Sequence, residues 1–116
     1  MKIYYARPIN LYKTKQDERD MKLLVELFGD VVNPDKEELY RRYDLEGMDV
    51  FTNAVSDCDA LAFRSFPDGK ISAGVKKEID KALELGKPVI ELPTITETRV
   101  LSVEDTRIYL SYLGHR

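Results

Sequence analysis

Two acidic residues, Glu78 and Asp49, stand where a carboxylate needs a reason. The stretch Ser72-Ala73-Gly74-Val75-Lys76-Lys77-Glu78-Ile79-Asp80-Lys81-Ala82 reads as a helix. Its spacing puts Val75, Ile79, Ala82 and Leu83 on one face, with Lys76, Lys77, Asp80, Lys81 and Glu84 opposite. Glu78 falls inside or beside the apolar stripe, where burying a carboxylate is costly unless it has a partner or a task. Asp49 opens a second helical segment, a position the helix dipole favours for an acid. Two carboxylates flanking a pocket, one ionised and one able to donate a proton, are what cleavage of a glycosidic bond needs. The Ser72-x-Gly74 pair at the helix start lets backbone approach a ligand and offers N–H groups to an anion. Arg7, Arg64 and Lys70 could add positive charge. Each feature also has a plain structural reading: Ser72 as an N-cap, Gly74 as a packing accommodation, Glu78 paired with Lys81, and the cations solvated.

These side chains have to be carried by a scaffold. Lys2-Ile3-Tyr4-Tyr5-Ala6 is a β-rich run that reads as a central buried strand, broken by Arg7-Pro8-Ile9-Asn10. A helix is expected from about Thr14 to Phe28, with Met21, Leu24, Val25 and Phe28 as its apolar face and Gly29 ending it. Val31-Val32-Asn33 reads as a second strand, and the charged stretch 35–42 as a short surface helix. Residues 48–55 read as another helix. Ala60-Leu61-Ala62-Phe63 is apolar without alternation and so a fully buried third strand. After the Glu78 helix, stopped by Gly86-Lys87-Pro88, comes a fourth strand at Val89-Ile90-Glu91-Leu92. Arg107-Ile108-Tyr109-Leu110 is expected to be a fifth.

Strands alternating with helices predict an α/β domain, a parallel, roughly five-stranded sheet with helices on both faces. Ligands in such sheets lie outside the carboxyl ends of the strands. That edge gathers Tyr4 to Asn10, Arg64 to Gly74, the chain from Pro93 onward and the helix start at Asp49. Asp57 and Asp59 precede their strand and are read as structural, at the opposite edge.

The chain of 116 residues has room for one core, so 1–116 is read as a single domain. A net charge of -3, from 18 Lys+Arg against 21 Asp+Glu, gives no basic field for a nucleic acid polymer. One Cys excludes an internal disulfide, and the single His115 argues against a His/Cys metal site. Neither a signal-peptide pattern nor an apolar run long enough for a bilayer is visible, and a cytoplasmic location without membrane contact is expected.

Ile3-Tyr4-Tyr5-Ala6, Cys58-Asp59-Ala60-Leu61-Ala62, Ser72-x-Gly74-x-x-x-Glu78-Ile79-x-x-Ala82 and Gly86-Lys87-Pro88-Val89 together resemble the nucleoside 2-deoxyribosyltransferase superfamily, over roughly residues 1–92. The resemblance implies a compact flavodoxin-like (Rossmannoid) fold. It makes Glu78 the nucleophile that attacks C1′ of a nucleoside and displaces the base. Tyr4 would position that glutamate, and Asp49 would assist at the base or sugar. Family members acting on unphosphorylated nucleosides usually carry Asp where this chain has Ser72. The 2′-deoxynucleoside 5′-monophosphate N-hydrolases carry Ser there, which suits a phosphate at a helix N-terminus. Ser72 and Gly74, with Arg7 or Arg64, would then hold the phosphate. The chain departs from the family in having Ala6-Arg7-Pro8 where a glycine-rich loop is usual, and in its aspartate spacing, which falls on Phe51 and leaves Asp49 as the nearest acid.

The expectation is therefore an N-glycosidase of (deoxy)nucleoside 5′-monophosphates. It needs no cofactor or metal, because carboxylates and positioning suffice. By resemblance it works as a homodimer or larger homo-oligomer. The alternatives are base transfer between nucleosides, a non-catalytic nucleotide-binding or sensor module, and a structural domain in which Glu78 pairs with Lys81 in solvent.

Overall fold

The computed structural model describes residues 1–93, 100–112 and 114, with the side chains of Glu37, Glu38 and Tyr40 left aside. His115 and the part of the carboxyl-edge stretch at 94–99 lie outside the described residues. The chain runs through strand β1 (Lys2–Ala6), a short 3-10 turn (Ile9–Leu11), helix α1 (Lys15–Phe28), β2 (Asp30–Val32), α2 (Glu37–Glu46), α3 (Asp49–Ser56), β3 (Ala60–Phe63), α4 (Ala73–Glu84), β4 (Val89–Glu91) and α5 (Val103–Tyr112).

The four strands pair in parallel in the order β2-β1-β3-β4, so β1 is central as its composition predicts. Alternation along β1 divides the core. Tyr4 and Ala6 point to one face, with Leu61 and Phe63 of β3, and pack against Val55, Val75, Ile79 and Ala82 of α3 and α4. Ile3 and Tyr5, with Ala60 and Ala62, point to the other and meet Met21, Leu24 and Phe28 of α1. Both faces are covered, and the two edge strands have only three residues each, which limits what they offer to a foreign strand.

Local chemistry sets the helix ends. Thr14 caps α1, its side chain accepting from the Asp17 N–H, and Gly29 closes it at φ 84°, a backbone region that favours glycine. Ser72 caps α4 by accepting from the Val75 N–H at 3.4 Å. Lys87 Nζ donates to the carbonyls of Val55, Ser56 and Cys58, holding a cation at the C-terminus of α3 and tying the α4–β4 turn to it.

Val25, expected on the apolar face of α1, is 47% exposed, because the buried face of that helix centres on Asp17, Asp20 and Leu24. Two further sequence expectations need correction. Among the described residues the sheet has four strands rather than five, because Arg107-Ile108-Tyr109-Leu110 lies inside α5. The local signals there favour a helix start: Ser102 accepts from the Asp105 N–H at 3.1 Å, and Glu104 and Asp105 occupy the first turn. The other correction concerns Leu83, which is 59% exposed. It lies farther than Glu78 from the centre of the α4 stripe, so the buried face is Val75, Glu78, Ile79 and Ala82. Among the described residues no helix is long and apolar enough to cross a membrane.

Candidate active site

A cavity of about 280 Å³ opens at the carboxyl edge of β1, between α3 and the start of α4. Glu78, Arg7, Ser72 and Gly74 line it, with Val75 behind them. Aromatic and apolar side chains form the remaining walls: Tyr12 after β1, Tyr43 from α2, and Met48 and Phe51 around the start of α3. The Tyr43 and Phe51 rings are 5.5 Å apart at a tilt of 42°, the spacing of an interacting aromatic pair.

Glu78 is 6% exposed and pairs with no cation among the described residues, so the solvent pair with Lys81 is not what the structure contains. Burial pushes its carboxyl up to about 7, against the opposing pull of the Tyr4 hydroxyl and the Arg7 guanidinium. A carboxylate so tuned is split between its charged and neutral forms near neutrality, which suits a group that must act as base, acid or nucleophile.

Tyr4 is fully buried on β1, and among the described residues its hydroxyl has no hydrogen-bond partner. Burial, then the Glu78 charge, raises its phenol far above the usual tyrosine range. The two groups are thus electrostatic neighbours without a closed hydrogen bond. An unpartnered buried hydroxyl beside a buried carboxyl is an expensive arrangement for a scaffold to keep.

Gly74 sits one helical turn above Glu78, and Ser72 two residues earlier is the N-cap of the same helix, whose leading N–H groups have no intrahelical acceptor. Nothing in the packing requires glycine at 74. Its φ is not positive, and an added Cβ would meet only Met48 Cε at 3.5 Å, an ordinary contact.

The remaining expected residues fall elsewhere. Arg64 is buried away from the cavity, its guanidinium bonded to both oxygens of Asp20 and to the Pro93 carbonyl. Asp20 also accepts from the Tyr5 hydroxyl at 2.6 Å, so Arg64 belongs to a closed network on the α1 face. Lys70 is exposed and pairs with Asp68 at 3.6 Å. Asp49 is exposed in the first turn of α3 and does not line the cavity. Asp59 accepts from the Lys2 N–H at 2.8 Å, tying β3 to β1 at the opposite edge.

The structure thus brings Tyr4, Arg7, Ser72, Gly74 and Glu78 together and leaves Arg64 and Asp49 apart. The aromatic lining, Tyr12, Tyr43 and Phe51, went unread in the sequence. Among the described residues no group of three or more His, Cys, Asp or Glu side chains stands close enough to hold a metal ion. No protein-family model matches the chain, and no curated protein matches it in sequence.

Proposed function

We propose that the protein cleaves the N-glycosidic bond of a (deoxy)nucleoside 5′-monophosphate. The observation that carries this is Glu78: buried, paired with no cation among the described residues, raised to about 7, and lining a cavity whose rim is the N-terminus of α4. Its accessibility from the cavity favours a catalytic role over a passive binding module. The Glu78 carboxylate attacks C1′, the C1′–N bond breaks, and the bonding electrons leave with the base, which takes up a proton. Water then opens the glycosyl ester, returning the carboxylate and a free sugar phosphate. The base lies against Tyr43 and Phe51, and the phosphate sits by Ser72 and Gly74, where a hydroxyl, free N–H groups and the helix dipole favour an anion. No step is assigned to Asp49.

Ser72→Asp places a negative charge at the phosphate position. It is expected to raise KM for monophosphates by about 10- to 100-fold while leaving unphosphorylated nucleosides almost unaffected. Gly74→Ala is expected to leave Tm unchanged or slightly raised, since the site accepts a Cβ and alanine favours the helix. Weaker monophosphate turnover with an intact fold would show that the glycine serves ligand approach. Steady-state kinetics on paired nucleoside and monophosphate substrates reads both variants, and added free base reports whether transfer competes with hydrolysis.

The functional form is proposed to be a homodimer in the cytoplasm. Support for the dimer comes from α5, which has no buried residue and exposes Val103, Ile108, Tyr109 and Tyr112. Light scattering should give twice the 13.4 kDa chain mass, and Ile108→Glu/Tyr112→Glu should reduce it towards one.

A further inference from the structure

Arg7 is anchored too heavily for a guanidinium that waits for substrate. Its Nε and Nη2 donate to the two oxygens of Asp17 at 2.7 and 2.9 Å, and its Nη1 donates to Asn33 Oδ1 at 2.8 Å. A weaker contact runs from Nη1 to the Tyr5 carbonyl at 3.4 Å. The anchors are themselves held, Asp17 by the Lys13 N–H at 2.9 Å and Asn33 by the Asp35 N–H at 3.0 Å. The guanidinium carbon lies 4.3 Å from the centre of the Tyr5 ring and 4.1 Å from that of Tyr12. Bidentate pairing and ring stacking together fix both the position and the plane of the group. Its side chain has no exposure to bulk solvent, yet Arg7 lines the cavity that Glu78 lines.

We propose that Arg7 is a positioning residue whose immobilised guanidinium sets a fixed positive charge beside the Glu78 carboxylate, its hydrogen bonds given to the scaffold rather than to substrate. The inference rests on the reading of Glu78 as the nucleophile and adds what keeps that nucleophile charged. Among the described residues the titratable groups around Glu78 are few, and α2 contributes Tyr43 from the far wall of the cavity. β1 contributes Tyr4, and the segment after it Arg7 and Tyr12. α3, which packs on α4, carries its one first-turn acid, Asp49, outside the cavity; β3 and β4 contribute Leu61, Phe63 and Val89, and the one acid of β4 on that side, Glu91, is exposed and does not line the cavity. Arg7 is the cation of this group. It pulls the carboxyl down against the burial that raises it, and it does so from beyond ion-pair distance.

Titrating the ¹³C-labelled side-chain carboxyl of Glu78 by NMR tests this without any substrate. Arg7→Gln is expected to raise the midpoint by about half a unit or more, and Arg7→Lys to keep most of the parent value. Tyr4→Phe serves as a reference, since losing its hydroxyl moves the same carboxyl upward. Should Arg7→Gln alone not fold, Arg7→Gln/Asp17→Asn removes the ion pair without leaving a buried charge and is held to the same criterion. A midpoint equal to the parent's in the neutral variant overturns the proposal, whatever happens to Tm. In turnover, the acidic limb of the kcat/KM profile should move up with the midpoint, equally for nucleosides and monophosphates. A loss confined to monophosphates would mean that Arg7 binds phosphate, and would also overturn it. If no variant, parent included, releases base, the glycosidase reading falls while the titration still decides the role of Arg7.

Discussion

Glu78→Gln is expected to abolish base release, by about 10³-fold or more, and at the same time to make the protein more stable at neutral and alkaline pH. The two effects share one cause. The Glu78 carboxyl is raised from an ordinary 4.5 to about 7 because it is buried. Between those values the folded state holds a proton that the unfolded chain has released. The stabilising contribution of the neutral acid is therefore present in full below pH 4.5 and is lost as pH rises towards 7. A shift of this size corresponds to about 3 kcal/mol, an order-of-magnitude figure for a group with 6% exposure. Glutamine has nearly the same shape and no charge to desolvate, so it removes that penalty. Thermal melts should show the variant gaining roughly 10–15 °C at pH 8 and almost nothing at pH 4. A purely structural glutamate would behave in the opposite way, because its replacement would cost stability at pH 8.

Asp20→Ala is expected to be the most damaging single substitution in the chain, at about 3–5 kcal/mol, a large part of the stability of a domain of this size. Asp20 is fully buried, and both its oxygens are bonded to Arg64. It also receives the Tyr5 hydroxyl and Gln16 Nε2 at 3.0 Å. Removing it strands a guanidinium at 4% exposure and a buried phenol. The triple variant Asp20→Leu/Arg64→Met/Tyr5→Phe, which takes away the whole network, should recover most of the loss, since an apolar replacement of a buried ion pair is often neutral. Urea denaturation of the three proteins checks this. The same triple variant separates structure from binding, because the ratio of KM values for monophosphates and nucleosides should stay at the parent value. An arginine that held phosphate could not be lost so quietly.

The sheet was legible because its strands are short, apolar and unalternating, bounded by Pro8, Pro34 and Gly86-Lys87-Pro88. Glu78 was legible for the converse reason, as a charge inside a 3.6-period apolar stripe. Arg7 and Arg64 were not separable from a pair of phosphate ligands, since both follow a strand at the carboxyl edge. Their acids did leave a trace. Asp17 and Asp20 share a helix face with Leu24, and all three are buried, so two acids on the sheet-facing side of α1 asked for two buried cations. The aromatic walls were hidden because Tyr12, Tyr43 and Phe51 come from three separate segments whose approach is set by tertiary packing alone. α5 was misread because a four-residue run such as Arg107-Ile108-Tyr109-Leu110 fits either period, and the deciding cap at Ser102 lies upstream of it.

Base release from a panel of nucleosides and their 5′-monophosphates, followed by chromatography for the parent and Glu78→Gln, is the measurement on which everything turns. Release from monophosphates by the parent, absent in a folded Glu78→Gln, is the expected result. Release that persists unchanged in Glu78→Gln, or none from any substrate by the parent, would contradict it and leave Glu78 without the catalytic role its burial suggests.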